Sequence, residues 1–127
     1  MIVLDASAAV LGLMNDGESR ALLESESIVS PHLIDSEVVH ALRSQVLRGE
    51  LDPAMGERML RVWQRLGLER VGVTGVLGRV WELRANVSAY DGTYIALAEA
   101  LECALVTADA RLAGAPGPRC AVTVVRR

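Results

Sequence analysis

At 127 residues, half of them apolar, the chain is long enough to bury a core without staples, which excludes a disordered or disulfide-scaffold protein. Charges interrupt every apolar run well short of a membrane span. The net charge of −3, with every cation an Arg and no Lys, excludes holding nucleic acid by global charge; a local Arg patch, a metal, or both would be needed.

Ile2-Val3-Leu4 has the character of a strand buried on both faces of a parallel sheet, and Ala6 to Met14 reads as a helix that starts almost at once. Asn15-Asp16-Gly17 is a turn, Glu18 to Glu26 a second short helix, and Ile28-Val29 a strand stopped by Pro31. A helix is expected from His32 to Arg48, with Gly49 beyond its end, and another from Asp52-Pro53 to about Leu66, closed by Gly67. These two form a helical hairpin. Leu68 to Val73 is a third strand, Val76 to Ala85 a helix, and Ser88 to Leu101 a further helix. Ala104-Leu105-Val106 is the clearest later strand, followed by Thr107-Ala108-Asp109, a helical turn, the loop Gly114 to Pro118 and an edge strand at Ala121 to Val125. Strands alternating with helices predict one α/β domain over residues 1–127, a parallel sheet covered on both faces.

Four acids stand where such a fold collects chemistry. Asp5 and Asp109 both follow strand ends, and in a parallel sheet ligands bind beyond those ends, where strand order reverses. If the first and fourth strands are neighbours, the two acids face one crevice, and helices would bring Glu37 and Asp91 to it. Each acid alone has a plainer reading. Asp5 suits an N-cap, Ser88 with Asp91 a capping box, Asp109 a first-turn acid, and Glu37 a solvated residue beside the buried stripe of Ile34, Val38 and Leu42. Gathered together, they would repel: two like charges 4 Å apart cost on the order of 4 kcal/mol at an effective dielectric of 20. A hard divalent ion relieves that repulsion, and carboxylate oxygens are its preferred ligands.

The segments Ile2 to Ser7, Pro31 to Leu42, Ala89 to Glu99 and Leu105 to Asp109, in this order and over nearly the whole chain, resemble a PIN domain, most closely the VapC toxins of bacterial toxin–antitoxin pairs. The resemblance implies a three-layer α/β sandwich with a five-stranded parallel sheet in the order 3-2-1-4-5. It implies a metal-dependent endoribonuclease that uses Mg²⁺ or Mn²⁺ to cleave structured RNA such as tRNA or rRNA. It also implies a homodimer, held in check by a small antitoxin that docks near the helical hairpin. Carried over, Asp5 and Asp91 are direct metal ligands, Glu37 and Asp109 bind directly or through water, and Ser7 and Thr107 are hydroxyls that orient the cluster. Gly92 stands where the family often has Ala, a slight weakening of its helix.

Arg43, Arg48, Arg58, Arg61 and Arg65 lie on the hairpin, either as a solvated face or as contacts to phosphate or antitoxin. Met55, Met59 and Trp63 suit the core, though a partner groove would use the same residues. With so few aromatic residues, base stacking cannot carry much recognition. His40 is a polar residue beside the site, and His32 a helix-start residue. Cys103 and Cys120, in apolar surroundings, suit reduced core thiols. The N-terminus shows no signal-peptide pattern, so a cytoplasmic location with no membrane partner is expected.

Rival chemistries lack parts. A phospho-receiver needs a Lys, a dehalogenase-type phosphatase a second Asp where Ser7 stands, and a di-iron bundle a second copy of Glu37-Val-Val-His40. No glycine-rich phosphate loop occurs. The alternative from another class is a non-catalytic PIN-like binding or regulatory module, whose signature would be an incomplete acid set.

Overall fold

The computed structural model describes residues 1–126. Its elements, in chain order, are β1 (Ile2–Leu4), α1 (Ala6–Met14), α2 (Glu18–Ser25), β2 (Ile28–Pro31), α3 (Leu33–Leu47), α4 (Pro53–Arg65) and β3 (Glu69–Val71). A 3₁₀ turn (Thr74–Val76) then leads into α5 (Leu77–Glu82), α6 (Ala89–Ala100), β4 (Ala104–Thr107), α7 (Ala110–Gly114) and β5 (Val122–Val124). The strands form one parallel sheet in the order β3-β2-β1-β4-β5, with helices on both faces, as expected. β1 lies at the centre in register with both neighbours, Ile2 opposite Ile28 and Leu4 opposite Val106. The chain therefore switches direction of travel across the sheet between β1 and β4, and a crevice opens beyond their C-terminal ends.

The core runs from Val3, Leu4, Leu105 and Val106 on the central strands to Ala8 and Ala9 of α1, Ile34 and Val38 of α3, and Ile95 and Ala98 of α6. The central strands are apolar up to Thr107 at the end of β4, because helices cover both of their faces. An ion-pair network joins the outer parts. Asp35 accepts from the Trp63 indole Nε1 (2.8 Å) and from Arg70 Nε and Nη2 (3.1 and 2.9 Å), tying α3 to α4 and β3. Arg79 reaches Glu99 and the Gly117 carbonyl, tying α5 to α6 and the last loop.

Several local expectations need correction. Pro31 closes β2 from within, opposite Val71, and does not stop it from outside. The β1 register ends at Val3–Val29, so no N–H is demanded of Pro31 on that side. The third strand is only Glu69–Val71. The helix expected over 76–85 shortens to Leu77–Glu82, because Arg84 and Asn86 donate to the third residue back and the chain tightens into turns. Gly49, at φ 75°, follows α3 in the left-handed conformation a C-terminal glycine supplies. Gly92 has a packing role: a Cβ there would lie 3.3 Å from Val80 Cγ1, so its absence lets α5 sit close against α6. Cys103 and Cys120 are free and half-buried, at the margin of the core, and Met55 is exposed while Trp63 is buried. Among the described residues no helix is long and apolar enough to cross a membrane.

Candidate active site

Asp5 is the fixed point of the crevice. It leaves β1 with its N–H still on the ladder, donating to the Val106 carbonyl at 3.0 Å, and caps α1. Its Oδ1 accepts from Ser7 Oγ (2.6 Å) and the Ala8 N–H (3.0 Å), and its Oδ2 accepts from Thr107 Oγ1. Two donors fill Oδ1, whereas Oδ2 keeps a lone pair for another ligand. The hydroxyls are linked in turn. Ser7 Oγ lies 3.2 Å from Thr107 Oγ1 and accepts from the Ala108 N–H at 2.9 Å; Thr107 Oγ1 accepts from the Asp109 N–H at 3.0 Å. Ser7 and Thr107 thus do orient the Asp5 carboxylate, and Thr107 also fixes the backbone that carries Asp109. The plainer N-cap reading of Asp5 holds as well, since the same oxygen serves the helix and the crevice.

The other acids arrive from three elements. Glu37, half-buried on α3, accepts a 2.6 Å hydrogen bond from the Tyr94 hydroxyl of α6. Asp91 stands in the first turn of α6, where its N–H donates to Ser88 Oγ at 3.1 Å, the expected cap. Asp109 caps α7 and is clasped by Arg111, whose Nε and Nη2 donate at 3.0 and 2.8 Å.

The four are electrostatically one group, with one exception. Burial pushes the Asp5 carboxyl above its usual range despite its three donors. Glu37 is raised first by burial and then by the charges of Asp91 and Asp5, against the pull of Tyr94. Asp91 is raised by burial, then by Asp5 and Asp109. Asp109 goes the other way, held below the ordinary carboxylate range by Arg111. Burial and the neighbouring Glu37 carboxylate push the Tyr94 phenol far up, so it stays a donor.

Carboxylate oxygen is the donor chemistry of a hard divalent cation, and Asp5, Glu37 and Asp91 are raised first by burial, Glu37 and Asp91 also by neighbouring carboxylates. Among the described residues, however, no three His, Cys, Asp or Glu side chains converge into a ready metal cage. Asp109 is held by Arg111 through both its guanidinium and its backbone N–H, and Asp91 has the Ser88 hydroxyl as its hydrogen-bonding neighbour. The chemistry of the donor set, four carboxylates, is that of a hard divalent cation.

Three of the five hairpin arginines given one role from the sequence, Arg43, Arg48 and Arg58, separate in space. Arg48 pairs with Glu50 and lines a pocket shared with Ser7 and Ala108, on the crevice side. Arg58 lines an apolar groove of about 380 Å³ with Leu13, Leu23 and Met59, and Arg43 a second, of about 280 Å³, with Leu42 and Leu60. His40 does stand beside the site, in a pocket with Glu37 and Ser7. Sequence reasoning missed Tyr94 and Arg111. Tyr94 lies three residues after Asp91, on the same face of one helix, and Arg111 two residues after Asp109; those spacings were the available signal.

Comparison with known proteins agrees with the fold. The family pattern described as "PIN domain" matches residues 2–118. The chain is 52% identical to Ribonuclease VapC9 of Mycobacterium tuberculosis over all 127 residues, covering the whole of both proteins. It is 40% identical to Ribonuclease VapC1 of the same organism, covering 98% of this chain and 97% of that one. Among solved structures, VapBC2 from Rickettsia felis bound to a DNA fragment from its promoter matches with a TM-score of 0.71 at 15% identity, covering 99% of this chain and 100% of the other. The Mycobacterium tuberculosis toxin VapC20, described as cleaving the sarcin–ricin loop, matches with a TM-score of 0.61 at 16% identity over 90% of this chain and 95% of that one.

Proposed function

The chain belongs to the PIN-domain family, with VapC ribonucleases among its relatives, and from that premise we propose that it is a divalent-metal-dependent endoribonuclease, the toxin half of a toxin–antitoxin pair. The observation that carries the reading is the Asp5 carboxylate, fixed by Ser7, Ala8 and Thr107 in a crevice where burial, and then the Asp5 charge, raise the pKa of both Glu37 and Asp91.

In this reading Asp5 and Asp91 hold the ion directly, and Glu37 and Asp109 complete its surroundings. Mg²⁺ or Mn²⁺ bound there neutralises the acids and supplies the Lewis acidity that phosphodiester hydrolysis needs. Asp5 gives the site its rigidity, because its hydroxyl partners leave it one orientation. Glu37 is the acid suited to take a proton from the attacking water. Its raised pKa brings it nearer the operating pH, and the Tyr94 hydroxyl holds one oxygen while leaving the other free. Asp109 would help hold the ion, and its partner Arg111 is a guanidinium of the kind that pairs with phosphate.

The substrate is RNA, with tRNA and rRNA the classes to test first, and Arg48 is the arginine best sited to steer its backbone toward the crevice. A small antitoxin is the proposed partner, docking along the apolar grooves that carry Arg58 and Arg43. The protein is further proposed to be one domain, cytoplasmic and homodimeric. A non-catalytic module would tolerate loss of one or more acids, and all four are present here.

The test compares cleavage of total RNA by the wild type and by Asp5→Ala, each with Mg²⁺ and with chelator. Cleavage only by the wild type, and only with the ion, is expected; cleavage indifferent to either change would overturn the mechanism. Growth arrest on expression, relieved by a neighbouring small open reading frame, is the expected sign of the toxin role.

A further inference from the structure

The chain has only four aromatic side chains, two Trp and two Tyr, and the fold distributes them unequally. Trp63 and Tyr94 are buried. Trp81 stands exposed on α5, already covered on one side by the Arg84 guanidinium 4.6 Å from its ring centre. Tyr90 is 62% exposed and stands at the acid crevice, immediately before Asp91. With Leu33, Ser36 and His40 it lines a pocket of about 670 Å³ whose remaining wall includes Glu37 and Ser7. That volume lies within the roughly 300–1,000 Å³ typical of small-ligand sites.

The chemistry of this pocket selects its occupant. No Arg lines it, and Glu37 stands at its wall, so a phosphate is repelled. Its apolar surfaces are the Tyr90 ring and Leu33, while Ser36 and His40 offer hydrogen-bonding groups. A flat, uncharged group with polar edges suits that combination. An RNA chain whose phosphate lies over the acids necessarily brings one such group alongside, its nucleobase. We propose that Tyr90 is a stacking platform for one unpaired base next to the scissile phosphate, with Ser36 and His40 reading its edge. The inference rests on the nuclease reading above and makes this pocket the place where a single-stranded nucleotide is chosen. It is compatible with the scarcity of aromatic residues, since one base is held and no more.

The test uses a short RNA oligonucleotide spanning the cut mapped in total RNA, and two copies of it with an abasic nucleotide on either side of that cut. Tyr90 is exposed, so its substitution leaves the fold intact. Tyr90→Ala should lower kcat/KM about 5- to 150-fold, mainly through KM, the range set by loss of one stacked base, while Tyr90→Phe keeps the π-face and stays near wild type. One abasic substrate should lower wild-type kcat/KM by the same factor and leave Tyr90→Ala no worse. Unchanged cleavage by Tyr90→Ala, a Phe variant as poor as Ala, or penalties that multiply between variant and abasic substrate would each overturn the platform. So would a Tyr90→Ala protein that cleaves normally and only escapes its antitoxin, since the pocket would then serve a protein partner. Failure of the wild type to cleave any RNA would instead sink the nuclease reading beneath it.

Discussion

Asn in place of Asp5 should make the protein more stable and inactive at once. Asp5 is 5% exposed, and burial raises its carboxyl pKa in the folded state. A carboxyl with a raised folded pKa lends its full stability only below the unfolded value of about 3.9, and that contribution is lost as pH rises through the folded value. At pH 7 in chelator the ionised Asp5 is therefore a destabilising element, and it repels Glu37 and Asp91 as well. In Asp5→Asn the Oδ1 still accepts from Ser7 Oγ and the Ala8 N–H. The new amide donates to Thr107 Oγ1, whose own proton must turn away. A gain of about 1–2 kcal/mol is expected, the usual scale for relaxing a site strained for function. Unfolding entropy of about 2.1 cal/mol/K per residue comes to about 0.27 kcal/mol/K for 127 residues, so the midpoint should rise by about 4–7 °C. Thermal unfolding followed by circular dichroism, in chelator, at pH 7 and pH 4.5 checks it. The gap between variant and wild type should narrow at the lower pH as Asp5 protonates. A variant less stable than wild type, or a gap indifferent to pH, would refute the reasoning.

Other substitutions probe other parts of the structure. Tyr94→Phe removes the hydrogen bond that holds the Glu37 pKa down, so the acidic limb of the pH–rate profile should move to higher pH; a shift the other way would contradict the assignment. Asp35→Ala leaves the buried Trp63 indole N–H without its acceptor and should cost about 1–3 kcal/mol, or roughly 4–11 °C in midpoint, with specific activity of the folded protein retained. Gly92→Ala gains about 1 kcal/mol of helix propensity but sets a Cβ 3.3 Å from Val80 Cγ1. The two effects should leave urea stability within about 1 kcal/mol of wild type; a larger loss would mean that Val80 cannot yield.

The strand order followed from the resemblance to the PIN family, and Asp5 and Asp109 were legible as acids at strand ends because a short apolar run followed by an acid and a helix has few uses in an α/β chain. Ser88 as cap of α6 was legible for a local reason, since Ser88 Oγ reaches the Asp91 N–H within one turn. What stayed hidden depends on distance in sequence. The Tyr94–Glu37 bond joins residues 57 apart, while the Thr107–Asp5 bond, between residues 102 apart, was signalled only through the family resemblance. No periodicity encodes such contacts. The Tyr94 ring is buried with its helix neighbours, and only its hydroxyl reveals the second task. Pro31 shows the same thing on a small scale: it stays within β2 because its neighbour there is Val71 of β3, a pairing that local propensity does not encode.

The most direct measurement of the central claim is a titration with Mn²⁺, following the loss of the free-ion signal by electron paramagnetic resonance. Wild type should take up the ion. Asp5→Asn and Asp91→Asn should not, and Asp52→Asn, which alters an acid at the start of α4 away from the crevice, should bind as wild type does. Uptake by Asp5→Asn as tight as that of the wild type would contradict the account.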